Sequence, residues 1–334
     1  MIEIIAEIGV NHDGSVEKAR ELVRAAKACG ADYAKFQTFK AARLASAQAP
    51  TAAYQKAHHA GGQLAMLARY ELSPDQFRGL FDDCRETGIR FLSSPFDPES
   101  LAFLIDLGLD TIKLGSGELT NLPLLEQLGR SGVRVIASTG MATLGEVEQA
   151  VRVLRAAGCR DLVLLHCVTA YPAPPEQVNL RAMVTLGRAF GLPVGYSDHA
   201  PGIAVAAAAV ALGATVIEKH LTLDRSAPGP DHAASSEPAE LATLVAAVRQ
   251  VESCLGDGIK QPAPCELPNI AVARKSLVAA RDLAAGTVLR EGDLVIKRPG
   301  DGIPPLHGPH ILGMKLARDV ARDQVLRWED FKHA

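Results

Sequence analysis

Two short stretches decide the fold: Gly195-Tyr196-Ser197-Asp198-His199 and Val216-Ile217-Glu218-Lys219-His220. Each completes an apolar segment that is typical of a buried strand, and each ends in a histidine. The two histidines are 220 − 199 = 21 residues apart, and the small apolar residues between them are sufficient for one helix. Because parallel strands joined by a helix run in the same direction, His199 and His220 are predicted to lie at the same end of a sheet.

Two histidines at neighbouring strand ends suit a divalent metal ion. Imidazole nitrogens bind such ions, and two of them leave positions open for substrate and water. The alternative is that His199 and His220 are ordinary polar residues at the starts of loops. The pattern along the rest of the chain bears on that choice.

Strand-like and helical segments alternate along most of the chain. The strand patterns cover Ile2–Glu7, Tyr33–Phe36, Arg90–Ser93, Thr111–Leu114, Arg134–Ser138, Leu162–His166, Pro193–Tyr196 and Val216–Glu218. The helical patterns cover Val16–Cys29, Pro74–Thr87, Pro98–Leu107, Leu122–Ser131, Leu144–Ala157, Leu180–Phe190, Ile203–Leu212 and Pro238–Cys254. Strict alternation indicates a parallel sheet, and eight such units in about 250 residues predict an α/β fold, a closed (β/α)8 TIM barrel. The alternative is an open doubly wound sheet, but no GxGxxG motif follows the first strand.

The composition is that of an ordinary globular protein. Of the 334 residues, 48% are hydrophobic and 22% are charged. The net charge of −3 and the 4% of aromatic residues favour neither nucleic acid nor a membrane as a partner. Met1–Glu7 has a strand pattern rather than that of a signal peptide, and the six dispersed cysteines include no CxxC pair. We therefore expect a cytoplasmic protein with free thiols.

One connection is unusually long. Residues 40–72 separate the second strand from its helix, and loops of that length are usually lids or binding elements. The segment holds Tyr54-Gln55-Lys56 and a short helical pattern at Gln63–Tyr70. It also holds His58 and His59, which we expect to be exposed loop residues rather than ligands.

The composition changes after Cys254. We predict a catalytic barrel at residues 1–256, a semi-extended linker at 257–272 and a small β-rich domain at 273–334. The strand-like pieces of the small domain are Ser276–Ala279, Thr287–Leu289 and Val295–Lys297. A domain of about sixty residues is marginal in size for independent stability, so we expect it to pack against another protein surface.

Polar and charged residues follow the predicted barrel strands at their carboxyl ends, where barrel active sites lie. They include Glu7, Lys35, Gln37, Ser94, Lys113, Ser116, Ser138, Tyr171, Ser197, His199, Glu218 and His220. Two lysines and a group of hydroxyls suit a phosphate and a carboxylate, whereas two histidines suit a metal ion that polarises a carbonyl. Phosphoenolpyruvate and an aldehyde sugar together match both halves of this set.

Several motifs resemble those of the sialic acid synthase family over nearly the whole chain. They are Ala6–Gly14 (AEIGVNHDG), Lys35–Phe39 (KFQTF), Lys113–Glu118 (KLGSGE), Ser138–Met141 (STGM), His166-Cys167, Gly195–His199 (GYSDH), Glu218–His220 (EKH) and Gly229–His232 (GPDH). The C-terminal part resembles the antifreeze-like (SAF) domain of that family through Ala273–Ser276 (ARKS) and Lys297–Ile303 (KRPGDGI).

The resemblance implies that phosphoenolpyruvate condenses with an open-chain, N-acetylated aminosugar of manno configuration and that phosphate is released. It implies a divalent ion on His199 and His220, with Mn²⁺ expected and Mg²⁺ or Co²⁺ as alternatives. The implied catalytic residues are Glu7, Lys35, Lys113, His199, Glu218 and His220. The implied substrate-binding residues are Gln37, Ser94, Ser116, Ser138, Tyr171, Tyr196, Ser197, Asp231 and Arg298. It further implies a domain-swapped homodimer in which Arg298 reaches the barrel of the partner.

Several alternatives stay open. N-acetylneuraminic acid, made from N-acetylmannosamine, is the expected product. Legionaminic acid, made from 2,4-diacetamido-2,4,6-trideoxymannose, and pseudaminic acid are the alternatives within the family. A keto-deoxy sugar phosphate synthase would need a further cationic subsite, and the strand ends offer no spare arginine cluster. A non-enzymatic sugar-binding barrel would need neither the lysines nor the histidines.

Overall fold

The computed structural model describes residues 1–46, 48–49 and 62–331. The chain divides into two units, Met1–Gly256 and Asp257–Ala334. The predictions for Tyr54-Gln55-Lys56, His58 and His59 fall outside the described residues. None of the helices in the described part of the chain has the length and apolar character that crossing a membrane requires.

Eight parallel strands form the sheet of the first unit. They are β1 (Glu3–Gly9), β2 (Tyr33–Thr38), β3 (Arg90–Pro95), β4 (Thr111–Leu114), β5 (Arg134–Ser138), β6 (Leu162–Cys167), β7 (Val194–Asp198) and β8 (Val216–His220). The strand order is β3-β2-β1-β8-β7-β6-β5-β4, so the first strand pairs with the last. β3 and β4, the ends of this order, lie side by side and nearly close the sheet. The prediction of a (β/α)8 barrel is confirmed, and the open doubly wound sheet is not observed.

Helices follow the strands, and most of them cover the outside of the barrel. They are α1 (Val16–Ala28), α2 (Ala41–Leu44), α3 (Gly62–Tyr70), α4 (Pro74–Thr87), α5 (Pro98–Asp106), α6 (Leu122–Arg130), α7 (Leu144–Ala156), α8 (Arg181–Phe190), α9 (Ala204–Ala211) and α10 (Pro238–Cys254). Their starts follow from local chemistry. Ser73 forms a reciprocal capping box with Gln76 before α4, and Thr143 does the same with Glu146 before α7. Each box satisfies backbone donors that the first helical turn leaves unpaired.

The strands bury both of their faces. Side chains pointing inward pack into a core that includes Ile5, Tyr33 and Leu92. Side chains pointing outward pack against the helices in a larger core. Because successive residues of a strand point to opposite faces, each strand divides its residues between these two layers. The polar residues at the carboxyl ends of the strands lie above the inner core.

The second unit contains a two-stranded antiparallel sheet of β9 (Ser276–Ala279) and β10 (Leu294–Lys297). Its own core includes Leu277, Ile311 and Phe331. The strand predicted at Thr287–Leu289 is not formed; Val288 makes one isolated bridge to Lys315. Two short helices, α11 (Leu267–Ala273) and α12 (Gly308–Ile311), belong to this unit.

The predicted semi-extended linker contains helical structure at its end. A 3-10 turn at Pro264–Glu266 leads directly into α11. Pro268 lies in the first turn of α11, where proline costs no hydrogen bond because that N–H has no partner inside the helix. The prolines that suggested an extended chain therefore mark a helix start.

Candidate active site

A cavity of about 220 Å³ opens at the carboxyl ends of the barrel strands. It brings together nearly all of the predicted site residues: Glu7, Lys35, Gln37, Ser94, Lys113, Ser116, Ser138, Tyr171, Ser197, His199, Glu218, His220 and Asp231. They come from separate strands and loops, and the barrel alone makes them neighbours.

Two lysines and two glutamates form the charged floor of this cavity. Lys35 Nζ lies 2.7 Å from Glu7 Oε2 and 3.4 Å from Glu218 Oε2, and Lys113 Nζ lies 3.8 Å from Glu218 Oε1. Burial alone would raise the pKa of Glu218, but Lys113 and Lys35 outweigh it and lower that pKa to about 2. The pKa of Glu7 is raised, because burial outweighs the attraction of Lys35. Glu218 is therefore held ionised, whereas Glu7 is easier to protonate.

The ammonium of Lys113 is held by one hydroxyl and one backbone carbonyl. Lys113 Nζ donates to Ser138 Oγ at 2.6 Å and to the Leu114 carbonyl at 3.0 Å. Burial lowers the pKa of Lys113, and Glu218 offsets part of that effect. On the same side, the Gly140 amide donates to Ser116 Oγ at 3.0 Å. The cluster offers donors to an anion of small size.

Gly140 is required beside that cluster because no side chain fits there. A Cβ atom at this position would lie 2.2 Å from Thr169 Oγ1 and 2.9 Å from both Cys167 Sγ and Ser116 Oγ. Thr169 and Cys167 also line the cavity. Neither was among the predicted site residues, although Cys167 ends β6 and Thr169 follows it.

The predicted metal-binding histidines lie next to each other. The ring centroids of His199 and His220 are 5.3 Å apart. His199 Nδ1 donates to the Val168 carbonyl at 2.8 Å, which leaves Nε2 as the nitrogen that can bind a ligand. His220 Nδ1 is buried without a hydrogen-bond partner in the described structure, and it lies 3.8 Å from Asp231 Oδ2.

These imidazoles fit a metal ion by their chemistry. Burial lowers the pKa of His199 to about 4, and burial together with the neighbouring His199 lowers the pKa of His220 well below its ordinary value. Both rings are thus neutral at physiological pH, which is the form that binds metals. Among the described residues no group of three or more His, Cys, Asp or Glu side chains is arranged to hold a metal ion.

The remaining predicted residues form the rim. Burial, with a smaller contribution from Glu7, raises the pKa of Asp231 to about 7. The Tyr171 ring lies 4.2 Å from the ring of His199, and Gln37 Nε2 donates to Glu7 Oε1 at 2.9 Å. Ser94 is buried and lines the cavity.

Two predicted substrate-binding residues are not among the residues that line this cavity. The structure contradicts the prediction for Tyr196, whose side chain belongs to the outer core and does not line the cavity. The reason is the alternation along β7: Ser197 points inward, so Tyr196 points outward. Arg298 is an exposed residue after β10 in the second unit, and its contact with substrate stays a prediction.

One side of the cavity was missed by the sequence prediction. It is an apolar wall made of Val10, Met66, Leu67, Tyr70 and Phe96. Three of these residues belong to α3, inside the long connection that follows β2. The length of that connection was the only signal that it contributes to binding.

Two families of sequence match the chain. The NeuB family matches residues 22–260 and the SAF domain matches residues 274–332. The N,N'-diacetyllegionaminic acid synthase of Campylobacter jejuni is 46% identical, over 97% of this chain and 98% of that protein. The enzyme of the same name from Legionella pneumophila is 45% identical, over 98% of this chain and 93% of its own length.

A solved structure shares the architecture. It is the N-acetylneuraminic acid (sialic acid) synthetase of Leptospira borgpetersenii in complex with citrate. That structure is 34% identical, with a TM-score of 0.73, and the match covers 80% of this chain and 90% of the other. Because the NeuB model covers most of the barrel, the SAF model covers the small domain and two synthases match over nearly the full length, the chain belongs to the NeuB family of nonulosonic acid synthases.

Proposed function

We propose that the protein condenses phosphoenolpyruvate with the open-chain form of an N-acetylated, manno-configured aminosugar, giving a nonulosonic acid and phosphate. One observation carries the proposal. An anion site of lysines and hydroxyls and a pair of neutral histidines open into the same small cavity. The first suits phosphoenolpyruvate, and the second suits an aldehyde that must accept a carbon nucleophile.

The lysine side of the cavity is proposed to hold phosphoenolpyruvate. Lys113, Ser138 and Ser116 would bind its phosphate and carboxylate, with Lys35 and Ser197 completing the set. Ser197 Oγ already donates to Glu218 Oε1 at 2.7 Å. This bond keeps the Glu218 carboxylate turned toward the two lysines, where its charge favours their ammonium forms.

The histidine side is proposed to hold the metal ion, with Mn²⁺ as the expected ion and Mg²⁺ or Co²⁺ as alternatives. His199 and His220 would bind it, and the ion would supply polarisation of the sugar aldehyde. The chain itself orients these ligands: the carbonyl of Val168 fixes the tautomer of His199. The enol carbon attacks the aldehyde, water adds at the phosphate-bearing carbon, and phosphate leaves with the bridging oxygen.

The carboxylates are proposed to divide the proton work by their pKa values. Glu218, with a pKa near 2, stays ionised and serves as the counter-ion of the lysines. Asp231, with a pKa near 7, is present in both protonation states at neutral pH. Asp231 lines the cavity with its Oδ2 3.8 Å from His220 Nδ1, and by this position it is assigned to protonate the aldehyde oxygen as it becomes a hydroxyl.

The apolar wall and the charge count bear on the choice of sugar. Among the described residues that line the cavity, the positively charged side chains are Lys35 and Lys113. Both are used for phosphoenolpyruvate, which favours an acceptor without a phosphate group. A deoxy C6 carbon also suits the apolar wall better than a hydroxyl does, because a hydroxyl would lose its hydrogen bonds to water there.

The acceptor proposed for the first test is therefore 2,4-diacetamido-2,4,6-trideoxymannose, the precursor of N,N'-diacetyllegionaminic acid. The identities of 46% and 45% to synthases of that product support placing it first. N-acetylmannosamine, which we expected from the sequence, is the second candidate, and a pseudaminic acid precursor is the third.

The working assembly is proposed to be a cytoplasmic, domain-swapped homodimer. Arg298 lies exposed after β10, and in a two-fold dimer it would reach the sugar in the partner's barrel reciprocally. The resemblance to the family supports this arrangement.

Release of phosphate tests the proposed function. The purified full-length protein with Mn²⁺ and phosphoenolpyruvate is expected to release phosphate only when one of the manno-configured sugars is added. Mass spectrometry should find one nonulosonic acid for each phosphate. Release without any sugar, or no release with any of them, would contradict the proposal.

A further inference from the structure

A buried ion pair lies behind the two histidines, on the outer face of the barrel. Lys219 Nζ is 2.9 Å from Asp198 Oδ2, and both side chains are almost completely buried. The register pairs Asp198 with Lys219 directly across β7 and β8. Neither residue lines the cavity, and no step of the proposed reaction uses them.

The ammonium of Lys219 holds a turn of the backbone. It donates to Asp198, to the Ala200 carbonyl, and to the Gly202 carbonyl at 3.4 Å. Asp198 Oδ1 in turn accepts the Ala200 amide at 2.9 Å. The turn from 198 to 202 is therefore wrapped around one cation, and that turn carries His199.

Alternation along the two strands connects this pair to the site. Ser197 and Glu218 face inward and form the bond at 2.7 Å, while Asp198 and Lys219 face outward as the next pair. The residues that follow are His199 and His220. The ion pair of Asp198 and Lys219 thus links β7 to β8 one residue before the two histidines, and the separation of the imidazoles depends on that link.

We propose that Asp198 and Lys219 are positioning residues that set the distance and direction of His199 and His220 for metal binding. The inference rests on the proposed function insofar as it takes these histidines to be the metal ligands. Outer partners of metal ligands typically alter affinity 10–100-fold when they are removed. Loss of Lys219 would leave the buried Asp198 carboxylate without its cation and the carbonyls of Ala200 and Gly202 without the ammonium donor, and the turn that carries His199 would open.

The alternative is that the ion pair only stabilises the fold. Replacing both of its residues by apolar ones distinguishes positioning of the histidines from stabilisation of the fold. Replacing a buried ion pair by apolar residues of similar volume is often neutral for stability. Asp198→Leu with Lys219→Met should therefore fold about as well as the wild type, but it cannot tie down the turn. Lys219→Met alone and Lys219→Arg, which retains the cation, complete the series.

Arg134→Met is the matched control. Arg134 Nη2 pairs with Glu3 Oε2 at 2.6 Å at the opposite end of the barrel. Its loss should lower stability without changing the metal site. The measurements on each full-length variant are the melting temperature, the Kd for Mn²⁺ alone by calorimetry, and kcat and KM for phosphoenolpyruvate. NMR of isotope-labelled histidine reports the environment of His199 without metal.

Lys219→Met and the double variant are expected to bind Mn²⁺ about 10–100-fold more weakly. Their histidine resonances should be shifted and kcat reduced, with KM for phosphoenolpyruvate unchanged, and Lys219→Arg should recover part of the affinity. A folded double variant with wild-type Kd and kcat would overturn the proposal. Failure of both Lys219→Met and the double variant to fold would also overturn it, because the ion pair would then be required for folding itself. If the wild type itself does not bind Mn²⁺, the proposed metal site fails instead.

Discussion

Removal of the Lys113 ammonium should weaken phosphoenolpyruvate binding without destroying the barrel. Lys113→Met keeps the length of the side chain but deletes the donor to Ser138 at 2.6 Å and the positive charge 3.8 Å from Glu218. A charge-assisted contact contributes about 1.5–3 kcal/mol, which corresponds to a KM for phosphoenolpyruvate raised about ten- to a hundredfold. Lys35→Met should have an effect of the same order on KM. It should also lower stability, because Glu7 and Glu218 lose the cation they share.

The assay is steady-state phosphate release at saturating sugar, with phosphoenolpyruvate binding measured in parallel by calorimetry. Lys40→Met is the matched control, since Lys40 pairs with Glu71 at 2.6 Å and does not line the cavity. It should leave KM unchanged. A wild-type KM in both Lys113→Met and Lys35→Met would show that these lysines serve the fold and would refute the anion site.

Three further predictions concern the metal, the dimer and pH. His199→Ala and His220→Ala should each fold but lose almost all turnover, and chelation of the wild type should abolish activity that Mn²⁺ restores; full activity in metal-free buffer would contradict this. Arg298→Ala should be nearly inactive yet dimeric, and subunit exchange with His220→Ala should recover activity. Mixed dimers that form but stay inactive would exclude the swap. Burial lowers the pKa of His12 to about 4, so the unfolded chain takes up a proton first as pH falls from 6.5 to 4. His12 should by itself account for about 3 kcal/mol of the unfolding free energy lost across that range, which denaturant titrations of the wild type and of His12→Asn measure as a difference.

The barrel could be predicted because its signals are local and repeated. Each unit begins with a buried apolar segment and continues with a helix, and several of these helices start at a capping residue such as Ser73 before α4. The location of the site follows from the fold, because every parallel strand of the barrel places its last residues at the same open end. For this reason Glu7, Lys113 and His220 could be placed together from positions far apart in the chain.

The errors have equally local causes. Tyr196 was assigned to the site through its motif, whereas strand alternation places it outside once Ser197 points inward. The apolar wall could not be predicted, because α3 packs on the cavity through contacts that no periodicity in Gln63–Tyr70 specifies. The helix at the end of the predicted linker was missed, because prolines occur both in extended linkers and in the first turn of helices.

Contacts between distant loops were also beyond sequence reasoning. His232 Nε2 lies 3.1 Å from Asp13 Oδ1, and His232 Nδ1 lies 2.7 Å from Thr222 Oγ1. These bonds tie the loop after β1 to the loop that carries Asp231. Both motifs were recognised, but their mutual contact depends on β1 and β8 being neighbours in the closed sheet.

The fate of the bridging oxygen of phosphoenolpyruvate gives the most direct test of the proposed reaction. Phosphoenolpyruvate carrying a heavy isotope at the oxygen between C2 and phosphorus is incubated with the full-length protein, Mn²⁺ and 2,4-diacetamido-2,4,6-trideoxymannose or N-acetylmannosamine. Mass spectrometry then follows the label. We predict a nonulosonic acid without the label and phosphate that carries it, since water supplies the new oxygen at C2. Label retained in the sugar acid, or no consumption of phosphoenolpyruvate with either sugar, would contradict the condensation proposed for this cavity.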